Sequence, residues 1–258
     1  MDTSAHLDLA LELADIADAI TMAHFRAADL KVTTKPDLTP VSEADQSVER
    51  AIRERLASAT GHAVLGEEFG SDPGATDDAE FRWIIDPIDG TKSYVRGLPI
   101  WATLIGLEYA GDLVLGVASA PGLCSRWWAG RGLGAFRDGH PISASSVASL
   151  EDAHISISWD SRRRFEADGI GDKMMALVHD CWRFRGVGDF WQHVLVADGT
   201  LDIAVDPIVS LWDVAALVPI IEEAGARWST VDGRADADGG SFVSTNGSLH
   251  DAVLAALA

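Results

Sequence analysis

Residues 83–91 read Trp-Ile-Ile-Asp-Pro-Ile-Asp-Gly-Thr, and no other stretch constrains the chain so tightly. An apolar strand runs directly into two carboxylates spaced three apart. Pro87 lies between them, fixing φ and removing an N–H, so the turn is stiff. Gly90 lets the backbone approach whatever sits above it. Two hard anionic ligands on a rigid turn suit Mg²⁺, which prefers oxygen donors and tight geometry. Asp, Pro and Gly are also the commonest turn formers, so a plain strand-ending turn is the competing reading.

The rest of the chain frames that segment. Its 258 residues fit one domain of two closely joined lobes, with boundaries expected at about 1–140 and 141–258. A 47% hydrophobic content with only 9 prolines supplies a full core. The net charge of −20, from 40 acidic and 20 basic residues, excludes the basic footprint of nucleic-acid binding and attraction to anionic membranes. Cys124 and Cys181 form no CxxC pattern, and the expectation is a reduced cytoplasmic protein with buried free thiols. No secretory leader or spanning apolar run is read in the chain. None of the eight histidines stands in a zinc spacing.

Hydrophobic periodicity predicts a helix over 4–28 and a second from Ser42 to about Leu56, separated by a Pro-containing loop or hairpin. Strands are expected near 63–65 and 81–86, then a meander over 102–109, 112–119 and 126–129. Gly130 to Gly139 would close the first lobe. After it, strands near 153–158, 182–186, 201–205, 226–230 and 242–245 alternate with helices at 166–179, 189–198, 212–224 and 248–257. That alternation implies an α/β arrangement. Trp127-Trp128 reads as core or as an interface patch.

Three further segments bear on the Asp86–Thr91 turn. Gly66-Glu67-Glu68 ends a short apolar stretch. Ser210-Leu211-Trp212-Asp213 puts an Asp at the head of an apolar helical run. Pro40-Val41-Ser42-Glu43-Ala44-Asp45 places an Asp at the start of the second helix. With the order Gly66-Glu67-Glu68, Asp86-Pro87-Ile88-Asp89-Gly90-Thr91 and Trp212-Asp213-Val214-Ala215, the chain resembles the inositol monophosphatase family of Mg²⁺-dependent phosphatases along nearly its whole length. Within it, Arg185-Gly186-Val187-Gly188-Asp189-Phe190 looks like the branch that hydrolyses L-histidinol phosphate.

The resemblance implies a layered α-β-α-β-α sandwich, a homodimer and two or three Mg²⁺ ions. Glu67, Asp86 and the Ile88 carbonyl would hold the first ion. Asp86, Asp89 and Asp213 would hold the second, and Glu67 with water a weaker third. Asp45 and Thr91 would polarise the attacking water, and the Gly90 and Thr91 amides would bind phosphate. Asp189 and Asp206 would contact the substrate. Histidinol phosphate carries an ammonium and an imidazole that titrates near neutrality, which suits acidic partners. Inositol 1-phosphate is the close alternative; a 3′-phosphoadenosine nucleotide, fructose bisphosphate and a non-catalytic binding role are more distant ones.

Each residue has a plainer reading. Glu68 is a rival to Glu67. Asp213 also reads as an N-terminal helix residue favoured by the dipole. Asp45 fits a capping box with Ser42. Asp189 fits a helix cap after Gly188, and Asp206 before Pro207 fits a turn. Lys35 reads equally as a loop cation at the site and as a solvated lysine.

Overall fold

The structure is a computed structural model that describes residues 3–35, 39–72, 80–159 and 169–258. The N-terminal part contributes helices α1 (Thr3–His24), α2 (Glu43–Ala59) and α3 (Thr91–Val95). Its strands are β1 (Val32–Thr34), β2 (Pro40–Ser42), β3 (Ala63–Gly66), β4 (Gly70–Ser71), β5 (Phe81–Asp89), β6 (Ala102–Tyr109), β7 (Asp112–Ala120), β8 (Ser125–Gly130), β9 (Gly134–Arg137) and β10 (His140–Pro141). The remainder contributes β11 (His154–Ile157), α4 (Ile170–Asp180), β12 (Arg183–Phe184), α5 (Asp189–Ala197), β13 (Ile203–Asp206), α6 (Leu211–Val214), α7 (Leu217–Glu223), β14 (Arg227–Ser229), β15 (Phe242–Thr245) and α8 (His250–Leu257).

Two sheets organise the molecule. The larger runs β10-β9-β8-β7-β6-β5-β3-β4 and the smaller β12-β11-β13-β15-β14, while β1 and β2 form a separate hairpin. All of β6 except Tyr109 is buried, as are Trp83 to Ile88 of β5. Both strands are covered on two faces, which is why they read as unbroken apolar runs rather than as alternating ones.

Three of the four apolar clusters among the described residues lie between five layers. Leu13, Ala14 and Ala17 of α1 and Val48, Ile52 and Leu56 of α2 pack on one face of the large sheet through Trp83, Ile85 and Ile105. Its opposite face, with Leu104, Ala118 and Trp127, meets α5 and α7, which also cover Ala204 and Phe242 of the small sheet. Beyond the small sheet, Met174 and Leu177 of α4 and Val253 and Leu257 of α8 close against Ile155, Ile203 and Val243. The order is helix, sheet, helix, sheet, helix: the α-β-α-β-α sandwich expected above.

Several local expectations change. Gly130 to Gly139 does not end the sheet but carries β9 and leads into β10, which extend its edge. The helix over 212–224 is two helices, because Pro219 supplies no N–H to Ala215 and its ring crowds that carbonyl. Trp127 is fully buried against Phe190 and belongs to the core rather than to an interface; Trp128 stacks on Phe136. Cys124 is exposed and Cys181 half-buried, so neither is a core thiol. The first residues of the helix expected at 166–179 lie outside the described residues, and the described helix is Ile170–Asp180. Among the described residues, no helix is long and apolar enough to cross a membrane.

Candidate metal centre

In a regular strand, residues three apart point to opposite faces. Asp86 and Asp89 nevertheless turn the same way, because β5 is irregular between them. Asp86 pairs with Leu104 and Asp89 with Ala102, so three steps on β5 face two on β6. One extra residue is a β-bulge, and it re-aims the second carboxylate. Pro87 cannot donate to the ladder, and the Thr103 hydroxyl donates to its carbonyl at 2.7 Å. Gly90 follows with φ 80°, a left-handed conformation that glycine adopts freely, and caps α3 at Thr91.

Asp213 arrives from the opposite end of the chain. Gly106 and Gly116 sit directly across from each other on β6 and β7. A β-carbon at Gly106 would lie 2.9 Å from the Ala215 carbonyl carbon, and one at Gly116 only 1.8 Å from the Ala216 oxygen. The glycine pair is therefore a furrow into which the α6–α7 junction sinks, bringing Asp213 over β5. One oxygen each from Asp86, Asp89 and Asp213 lies within 4.8 Å of the others.

The carboxylates are held by main-chain amides. Ile88 N–H donates to Asp86 Oδ1 at 3.0 Å, Phe190 N–H to Asp89 Oδ2 at 2.7 Å and Ser210 N–H to Asp213 Oδ2 at 2.7 Å. Such anchors fix each group's orientation before any ion arrives. Without a cation the cluster is electrostatically expensive. Burial first, then Glu67, Asp89 and Asp213, push Asp86 well above the usual carboxylate range. Burial and then Asp189 and Asp213 do the same to Asp89. Asp213 is pushed up to about 7 by burial, with Glu67, Asp206 and Asp189 adding to the shift against the Ser210 amide. An all-oxygen, mutually repelling set at this spacing fits a hard divalent cation such as Mg²⁺.

Glu67 stands beside this cluster, while its Oε1 accepts from Lys35 Nζ at 2.7 Å. The same ammonium reaches Glu68 Oε1 at 2.6 Å. Lys35 is thus no solvated surface lysine. Burial would lower its pKa, but the bonds to Glu67 and Glu68 outweigh that and raise it. Glu68 is pushed up to about 7, chiefly by burial.

Asp45 and Thr91 also meet. The Thr91 hydroxyl lies 3.3 Å from Asp45 Oδ1 and 2.8 Å from the Ile88 carbonyl oxygen. Asp45 Oδ2 accepts from both the N–H and the hydroxyl of Ser42, so the capping box is real as well. Burial raises Asp45 and makes its carboxylate the better base.

Glu67, Asp89, Asp189, Asp206 and Asp213 all line one cavity of about 670 Å³, with Ile157, Trp159, Phe184 and Ile208 among its apolar walls. Asp189 takes a left-handed φ of 49° directly after Gly188 at φ 70°. That sharp corner aims the next amide, Phe190 N–H, back at Asp89. It also carries Asp189 close to the Gly90 turn: a β-carbon at Gly90 would stand 3.2 Å from Asp189 Oδ2.

Sequence reasoning missed Thr103, the Gly106–Gly116 furrow and Glu49, a fully buried carboxylate on α2. A glycine inside each of two adjacent apolar strands was the available signal for the furrow.

The fold and this cluster define a class of metal-dependent phosphatase sandwich, and comparison with known proteins agrees. The chain matches the inositol monophosphatase family over residues 2–258. It is 50% identical to the histidinol-phosphatase of Mycobacterium tuberculosis over 97% of each chain. It is 46% identical to that of Streptomyces coelicolor, over 96% of this chain and 95% of the other. It superposes on an IMPase of Thermotoga maritima with a TM-score of 0.87 at 30% identity, covering 98% of this chain and 96% of that one. The chain belongs to the inositol monophosphatase family.

Proposed function

We propose that this protein is a Mg²⁺-dependent phosphomonoesterase that hydrolyses L-histidinol phosphate to L-histidinol and phosphate, in histidine biosynthesis. The observation that carries the reading is one cavity that runs from Glu67, Asp89 and Asp213 to Asp189 and Asp206. The first three offer a seat for cations, and the last two offer negative charge to the ammonium and imidazole end of the substrate. The full-length similarity to two histidinol-phosphatases supports the choice of substrate.

When bound, the ions neutralise the phosphoryl oxygens and lower the pKa of water. Asp86, Glu67 and the Ile88 carbonyl would hold one ion, and Asp86, Asp89 and Asp213 would hold a second. Glu67 with water would hold a weaker third. The Gly90 and Thr91 amides, at the start of α3, receive the phosphate. Thr91 directs its hydroxyl proton at Asp45, which leaves an Oγ1 lone pair facing the water that attacks in line; as that water loses a proton to Thr91 Oγ1, the hydroxyl proton passes to Asp45. Asp206 and Asp189 hold the cationic part of the substrate. The protein acts in the cytoplasm as a homodimer, its face other than the buried Trp127 strand; sedimentation velocity tests the assembly.

Phosphate release tests the activity, using L-histidinol phosphate, inositol 1-phosphate, 3′-phosphoadenosine 5′-phosphate and fructose 1,6-bisphosphate with Mg²⁺. The expected order puts histidinol phosphate first in kcat/KM by a wide margin. A preference for inositol 1-phosphate overturns the substrate and keeps the chemistry; no release from any of the four overturns both.

A further inference from the structure

Glu49 is a carboxylate with no exposed surface, on the same face of α2 as Asp45, one helical turn further on. A buried charge of this kind is costly unless it is fully paired. Its partners lie in the turn that carries Glu67. Glu68 N–H donates to Glu49 Oε2 at 2.8 Å, and Phe69 N–H to Oε1 at 3.2 Å. The Arg53 guanidinium reaches Oε1 at 2.8–2.9 Å. Arg53 in turn donates to the Gly70 carbonyl and pairs with Asp72, whose other oxygen accepts from Val64 N–H at 3.0 Å.

Gly66 completes the arrangement. A β-carbon there would fall 2.1 Å from Glu49 Oε1, so Glu49 occupies the space a side chain would need. On the other side, Glu67 N–H donates to the Ile85 carbonyl at 3.1 Å, one residue before Asp86. The Glu67 main chain is therefore clamped between β5 and Glu49.

We propose that Glu49 is a positioning residue for the metal centre: its buried carboxylate grips the Glu68 and Phe69 amides and so holds Glu67 facing Asp86. Asp45 and Glu49, from one helix face, then serve the site in two ways, the first at the attacking water and the second through Glu67. The proposal rests on the reading of Glu67 as a metal ligand. Glu49→Gln keeps the shape but turns an acceptor into an NH₂ group, which leaves an amide of the turn or Arg53 without its partner.

The test is calorimetric titration of Mg²⁺ into the substrate-free protein, well below its unfolding temperature. Partners that orient metal ligands are worth roughly 10- to 100-fold in metal affinity. Glu49→Gln should weaken Mg²⁺ binding by about that factor, while kcat at saturating Mg²⁺ stays near the wild-type value. A lower melting temperature with unchanged Mg²⁺ affinity would overturn the proposal, since that is what a purely structural ion pair would give. If Glu49→Gln does not fold, Asp72→Asn decides, because it loosens Arg53 from the exposed end. It should weaken Mg²⁺ binding in the same direction by less, and wild-type affinity there overturns the proposal. Glu54→Gln, on the exposed face of α2, is the control and should match wild type. Glu67→Gln in the same titration separates the two readings. Unchanged affinity there removes Glu67 as a ligand; weakened affinity there with none at Glu49 removes only the role of Glu49.

Discussion

The main-chain N–H of Phe190 meets Asp89 Oδ2 at 2.7 Å, joining the first turn of α5 to the end of β5. Those residues lie a hundred positions apart, yet the bond orients a carboxylate of the metal centre. The corner at Gly188 and Asp189 that aims this amide also sets the Asp189 side chain beside Gly90. The Asp189 carboxylate and the amide that anchors Asp89 are therefore built on one turn.

That proximity should give Asp189 an effect at Gly90 and Asp89 beyond the substrate contact proposed for it with Asp206. Charge-assisted hydrogen bonds are worth roughly 1.5–3 kcal/mol, or about 10- to 100-fold. Asp206→Ala should lose about that factor in kcat/KM for histidinol phosphate and leave an aryl phosphate, which carries no cation, nearly untouched. Asp189→Ala should lower both substrates, because it borders the phosphate turn and the field at Asp89. Steady-state kinetics on the two substrates checks this; a loss confined to histidinol phosphate in Asp189→Ala would place that residue with Asp206 instead.

Thr91 and Asp45 should behave as a unit. A positioned general base contributes about 10²- to 10⁴-fold. Thr91→Ala and Asp45→Asn should each fall in that range, and the double variant should be little worse than the poorer single one. Additive losses in kcat would reduce Asp45 to its capping role with Ser42.

Metal binding should become more stabilising as pH rises. Burial and the neighbouring carboxylates push Asp213 up to about 7 in the cation-free protein, above its unfolded value. A carboxyl raised by folding favours the native state while protonated, so its contribution is full below about pH 4 and lost as pH climbs through 7. A bound cation reverses that loss. The rise in melting temperature caused by Mg²⁺ over EDTA should be larger near pH 8 than near pH 5.5. An equal rise at both would contradict the electrostatics of the cluster.

His193 should act in the opposite direction. It is fully buried beside Phe242, and burial lowers its pKa to about 3. The unfolded chain takes up a proton near pH 6.5 that the folded protein refuses. Its contribution to stability is therefore full above about 6.5 and lost as pH falls towards 3, at up to about 1.4 kcal/mol per pH unit. Urea unfolding between pH 7 and 4.5 should show a shallower decline in His193→Gln than in wild type; parallel slopes would mean that His193 is protonated in the fold.

How legible a feature was depended on how local its cause is. The Asp86–Thr91 turn could be read directly, since the proline, the glycine and both carboxylates are contiguous. The Ser42–Asp45 cap was also legible, because a capping box spans one helical turn. Ser210–Asp213 forms the same box, although the run behind it was read as one unbroken helix when Pro219 divides it. Glu49 was invisible: its partners at Glu68 and Phe69 come from another element, and an acidic residue on an amphipathic helix reads as solvated. Trp127-Trp128 left core and interface open until the covering α5 was in place.

The furrow at Gly106 and Gly116 has a bearing on biosynthesis. During translation the large sheet is complete about seventy residues before Asp213 emerges from the ribosome; until then the furrow is open, and its apolar flank at Leu104, Ala118 and Trp127 gains at most the partial cover of α5. The last carboxylate of the candidate cation site and the last lid of that core are delivered together, by the α6–α7 junction. A chain truncated before α6 would lack both a finished core and a finished cation site, so it would be sticky as well as inactive. The two failures share one cause, and quality control that clears the exposed surface clears the inert catalyst with it.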